Sequence, residues 1–167
     1  MALTYKLIEA KTLGGTVTDV TFSSIPQIYT DLLLKVSVRG GASTVNQSYV
    51  VTFNGSSTTG LTMKRVYGDG ASAASDSGTS LEGVGSTATS NTFSNDEIYI
   101  PNYAGSTNKS FSVDNVGEIN ATTAYVFLQA GLRSNTDAIT SIVLTALGAG
   151  GSFLQYSSFY LYGIKNS

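Results

Sequence analysis

Histidine, cysteine and tryptophan are all absent from this chain of 167 residues. Without histidine there is no side chain whose ordinary pKa suits general acid–base work near neutrality. Without histidine and cysteine the usual ligands of zinc and other transition metals are missing, as are thiol nucleophiles and disulfide staples. Charge is scarce as well, at 12% of residues. Nine Lys and Arg against eleven Asp and Glu leave a net charge of −2. The basic residues are scattered and only Lys64-Arg65 are adjacent, so the stripe that neutralises nucleic-acid phosphates is missing. No run approaches the roughly 20 apolar residues of a membrane span, and nucleic acid and membrane are therefore not expected as partners. Met1 to Lys6 has no cationic stretch leading into an apolar one, so no secretory signal is expected and synthesis in a bacterial cytoplasm is.

What fills the chain is short alternating segments separated by Gly, Ser, Thr and Asn. In Asp31 to Arg39, Leu32, Leu34, Val36 and Val38 point one way and Leu33, Lys35, Ser37 and Arg39 the other. Gln47 to Phe53 and Leu61 to Tyr67 repeat the pattern; in the second, Leu61, Met63, Arg65 and Tyr67 oppose Thr62, Lys64 and Val66. Asn54-Gly55 between them predicts a hairpin. Further strands are predicted at Leu3 to Ala10, Val17 to Phe22, Glu97 to Ile100, Lys109 to Val113, Ala124 to Leu132, Ala138 to Ala146 and Ser157 to Ile164. No long segment holds a 3.6-residue period, and Gly interrupts too often for helix. The 41% apolar content is enough for one core. The expectation is a single domain spanning residues 1–167: an all-β, antiparallel, jelly-roll-like β-sandwich with almost no helix.

From Gly68 to Asn91 the chain is nearly all Gly, Ala, Ser, Thr and Asp, broken by Leu81, Glu82 and Val84. This reads as a long surface loop and a candidate contact arm toward a partner. Its Asp69, Asp76 and Glu82 do not have calcium-loop spacing, so no metal is expected. Asp96-Glu97 is the one carboxylate pair of interest. Neighbours on a strand face opposite sides, which prevents their sharing a substrate, and edge-strand solubility is the expected role. Gly148 to Gly151 lacks the Lys-Ser/Thr ending of a phosphate loop and reads as a turn. No serine has an activating histidine, and no G-x-S-x-G elbow is present. No catalytic residue, metal ligand or cofactor site is therefore assigned, and the chain is not expected to be an enzyme. Glycoside cleavage by carboxylates is the one activity left to assay.

Aromatic content rests on ten Tyr and seven Phe. Tyr5, Tyr99, Tyr103, Tyr156, Tyr160 and Tyr162 are candidates for a sugar-stacking platform or, with more weight, for subunit contact. Three stretches go further. Ile25 to Arg39 (IPQIYTDLLLKVSVR), Glu97 to Gly105 (EIYIPNYAG) and Phe159 to Ile164 (FYLYGI) resemble segments of tailed-bacteriophage virion proteins, notably those of phages of cyanobacteria and other aquatic bacteria. The chain is similar to capsid decoration proteins and to fibre-tip domains, both commonly β-sandwich trimers. The resemblance implies a homotrimer on the capsid exterior, acting as a decoration or cement protein that bridges major capsid protein subunits. The alternative it implies is a receptor-binding domain of a tail fibre that recognises host surface glycan.

Overall fold

A computed structural model describes residues 4–55, 57–119 and 124–165. Leu3, in the first predicted strand, lies outside the described residues. No helix is present among them. Twelve strands form two antiparallel sheets. The larger has eight strands: β1 (Thr4–Thr12), β3 (Asp31–Ser37), β5 (Leu61–Gly68), β6 (Ala73–Asp76), β8 (Asn95–Pro101), β9 (Lys109–Gly117), β10 (Tyr125–Arg133) and β12 (Ser158–Lys165). The smaller has four: β2 (Asp19–Phe22), β4 (Asn46–Phe53), β7 (Leu81–Val84) and β11 (Ile142–Ala146).

The order is β1-β12-β3-β8-β9-β10-β5-β6 in the large sheet and β2-β11-β4-β7 in the small one. Setting aside β5, β6, β9 and β10 leaves β1-β12-β3-β8 facing β2-β11-β4-β7, the nested Greek-key order of a jelly roll. The jelly-roll-like sandwich expected from the alternation is thus the fold. The other four strands are two inserted pairs that extend the large sheet beyond β8. We call them the extension.

The core lies between the sheets. Leu32, Leu34, Val36 and Val38 are all buried, as their shared face predicts. They meet Phe159 and Leu161 of β12 and Ile98 of β8 on their own sheet, and Phe22, Val51 and Leu144 of the small sheet opposite. Phe111 of β9 lies so close over Gly131 of β10 that a Cβ there would meet its ring at 2.1 Å. That absence lets the ring stack edge-on against Phe53 of the small sheet, with centroids 5.4 Å apart.

Three expectations are corrected. The strands flanking Asn54-Gly55 are not a hairpin: β4 belongs to the small sheet and β5 to the large one. Both strands bury one face in the same core from opposite sides, which alternation alone cannot distinguish from pairing. Asn54, at φ 57°, turns the corner. Its side-chain carbonyl accepts from the Thr140 and Ser141 backbone N–H groups, which ties up the residues that would otherwise lengthen β11 toward Ala138. Second, residues 68–91 are not one long loop. They carry β6 and β7, and Arg39 clamps the stretch after β7 by donating to the Ser86, Ala88 and Thr89 carbonyls. Third, β8 is an interior strand between β3 and β9, so Asp96-Glu97 does not protect an edge. The two do face opposite sides. Asp96 is buried, while Glu97 pairs with Lys35 at 2.9 Å outside.

Candidate interaction surfaces

No described residue covers the face of the large sheet that points away from the small one. Over the jelly-roll half, Leu7, Tyr162, Leu33 and Tyr99 align across β1, β12, β3 and β8. Tyr160 follows beside the Lys35–Glu97 ion pair. Leu33 is buried between its tyrosine neighbours. Tyr5, Tyr99, Tyr160 and Tyr162 therefore share one surface, as a platform requires. Tyr103 does not join them, being a core residue whose hydroxyl donates to the Pro26 carbonyl. Tyr156 stands exposed on a turn at φ 71°.

Over the extension the same outer face is aliphatic. Register aligns Val116, Val126 and Gly68 in one row and Asp114, Leu128, Val66 and Ser75 in the next, with Lys64 beyond. Val126 is 59% exposed, Leu128 55% and Val66 55%. The buried face of these strands carries polar groups among its apolar ones. Lys109 and Arg133 oppose each other across β9 and β10. Lys109 Nζ donates to the carbonyls of Gly105, Thr107 and Thr136, and burial together with Arg133 holds its pKa below the usual lysine value. Gln129 is 1% exposed, and its amide finds no hydrogen-bond partner among the described residues.

Where β8 meets β9, Asp96 accepts from the hydroxyls of Tyr49, at 2.6 Å, and Ser94, at 2.9 Å, and from the Asn115 amide. Burial raises its pKa to about 7, outweighing these donors, each of which favours the ionised form. Tyr49 comes from the small sheet, so this cluster ties the two sheets together.

A cleft opens where the small sheet ends at β7. Its floor is the inner face of β5 and β10: Tyr67 lies opposite Phe127, and Tyr125 is two residues away on the same side. Ring centroids are 5.1 Å apart for Tyr67–Phe127, 5.5 Å for Tyr125–Phe127 and 6.3 Å for Tyr67–Tyr125. Thr44 to Asn46, Ser48 and Glu82 form the other wall of a space of about 390 Å³. Arg65 lies across Tyr67 and Phe127 and takes a two-point ion pair from Asp76, at 2.5 and 3.0 Å. That hydrogen-bonded carboxylate raises its pKa. Asp69, by contrast, closes its own turn on Ala71 and Ser72. Among the described residues no three acidic groups converge as a metal site would need.

The alternation at Leu61 to Tyr67 placed Arg65 and Tyr67 on one face, but the meeting with Tyr125 and Phe127 depends on pairing between strands about 60 residues apart in sequence. For Asp96 a signal was present, since it shares parity with Ile98 and Ile100. No protein-family model matches the chain, and no curated protein or solved structure matches it at a significant level.

Proposed function

We propose that this chain is a structural, non-catalytic protein of a tailed-bacteriophage virion. It assembles as a homotrimer and sits on the capsid exterior as a decoration or cement protein in contact with the major capsid protein. The observation that supports the assembly role is the exposed aliphatic surface of the extension. Val66, Val126 and Leu128 face water beside Lys64 and Asp114, while Lys109, Arg133 and Gln129 share the inner face with Met63, Phe111 and Phe127. Contiguous exposed apolar surface is unfavourable for an isolated monomer and favourable when a partner covers it. The virion role is supported by the resemblance, whose three segments contribute β3, β8 and β12, adjacent strands of the large sheet. A low-charge, acidic exterior also limits sticking to nucleic acid.

Copy number is the test. Quantitative electrophoresis or cryo-microscopy of the virion should find this protein at a copy number comparable with the shell protein. Location at the tail alone, in few copies, would replace the cement role with that of a receptor-binding fibre tip. Light scattering of the isolated protein should find a trimer; a monomer that stays monomeric on particles would remove the trimer from the proposal.

A further inference from the structure

We propose that the cleft between the β7 edge and the β5–β10 pair binds a neutral pyranose sugar. Much of the cleft's charged and aromatic surface is already engaged. An anionic ligand would need a free guanidinium, but Arg65 is engaged by Asp76 at 2.5 and 3.0 Å, by the Ser80 carbonyl at 3.2 Å and by Glu82 at 3.6 Å. One cation between two carboxylates leaves the site slightly negative. A cationic ligand would be repelled by the Arg65 guanidinium, which already lies 5.3 Å from the Phe127 ring centre and 5.6 Å from that of Tyr67. A purely apolar ligand would strand Asn46, Ser48 and Glu82 on the opposite wall.

What is left open is amphipathic. Tyr67 and Tyr125 are half-buried, with ring planes inclined 62° to each other and Phe127 packed against both. Their hydroxyls and the Asn46 side-chain amide make no hydrogen bond among the described residues. Glu82 is held in place by the hydroxyls of Ser48, at 2.9 Å, and Ser80, at 3.2 Å, with carboxylate lone pairs to spare. A pyranose offers one apolar C–H face to stack on Tyr125, the ring that Arg65 leaves uncovered, and a rim of hydroxyls to meet the amide and carboxylate. The volume of about 390 Å³ lies at the small end of the range for small-molecule sites, roughly 300–1,000 Å³.

The site is independent of the virion reading, because copy number per particle reads one and sugar binding the other. The experiment is saturation-transfer NMR on the full chain with methyl glycosides of glucose, galactose, mannose and N-acetylglucosamine, with methyl glucuronide and choline as charged comparisons. At least one neutral glycoside should receive saturation, strongest on the protons of one ring face. In the unmodified protein the ring resonances of Tyr67 and Tyr125, assigned through Tyr→Phe variants, should shift on titration. Tyr125→Ala should bind about tenfold more weakly. Tyr162→Ala, on the outer face, should bind as before. The proposal is overturned if no neutral glycoside receives saturation, if the shifts map to the outer-face tyrosines, or if glucuronide or choline binds better. Undiminished binding by a folded Tyr125→Ala protein would overturn it too. Should that variant fail to fold, the shift map of the unmodified protein decides.

Discussion

In β12 and β3 the residues that face the small sheet are Phe159, Leu161, Leu34 and Val36, whereas the inward positions of β10 and β5 include Gln129, Arg133 and Arg65. Outside, the order reverses: Lys35 and Glu97 pair over the jelly-roll half, and Val66, Val126 and Leu128 lie bare over the extension. The two halves of one continuous sheet thus differ in how much polar surface they bury and how much aliphatic surface they expose. The small sheet explains the inner difference. It has four strands against eight, so its cover reaches Leu61 and Met63 at one end of β5 but not the Tyr67 and Tyr125 end, which faces the open cleft. The outer difference has no such explanation within one chain. It suits a sheet half whose stability is completed by something else.

The sharpest contrast is truncation of a large side chain in each half. Phe159 is fully buried and stacks edge-on against Phe153 at 5.4 Å. Phe159→Ala should cost about 3–5 kcal/mol in urea unfolding. Val126→Ala should stay within about 0.5 kcal/mol in the monomer. Equal costs would mean that the extension is already sealed and the contrast is false.

At the seam between the halves, Asp96 makes stability depend on pH. Its folded pKa of about 7 lies above the value near 3.9 of an unfolded aspartate. The folded state therefore keeps a proton that the unfolded chain has released. This contribution is complete below about pH 3.9, declines as pH rises and is gone above about pH 7; at full extent the shift corresponds to about 4 kcal/mol. The chain has no histidine, whose ordinary pKa would add a second side-chain titration to the same range. The melting temperature should fall across that window, and Asp96→Asn should flatten the fall. A slope unchanged in Asp96→Asn would place the titrating group elsewhere.

Gln129 tests the inner pattern of the extension directly. Both its polar atoms are buried without partners among the described residues, between Val113 and Arg65 in register. Gln129→Met keeps the length of the side chain and removes the stranded amide. It should stabilise by about 1–2 kcal/mol, raising the melting temperature by a few degrees. A loss of stability would show that the amide has a partner in solution, such as a buried water.

Which of these features could be read from sequence follows from how local their causes are. The face shared by Leu32, Leu34, Val36 and Val38 is set by side-chain alternation, and it carried over to the core unchanged. β6 escaped because Ala73-Ala74-Ser75-Asp76 has weak strand preference and is held by pairing with β5. β7, with Gly83 in its centre, is likewise held by β4. The Asn54-Gly55 corner looked like a hairpin because turn chemistry is the same whether the chain folds back on one sheet or crosses to the other. The cleft tyrosines were passed over for those of more obvious strands, since no local signal places Tyr67 beside Tyr125. Asp96 was legible in principle: its parity with Ile98 and Ile100 put a carboxylate on the core face.

The smallest effect on folding should accompany the clearest effect on assembly. Val126 and Leu128 lie on the outer face of β10, aligned with Gly68 and Val66 of β5. Both are more than half exposed, so lysine at either position can reach water without displacing core atoms. Val126→Lys combined with Leu128→Lys should change monomer stability by no more than about 0.5 kcal/mol. If this face is where copies or shell subunits meet, the substitution puts two added charges into the contact, only the one at 128 having a carboxylate (Asp114) opposite, and the assembled form should disappear in light scattering. Lys35→Ala, which opens an exposed ion pair on the other half of the same face, should leave assembly intact. The opposite outcome, with assembly lost on Lys35→Ala and retained in the double lysine variant, would move the interface to the tyrosine-bearing half. The bare aliphatic rows would then need another partner.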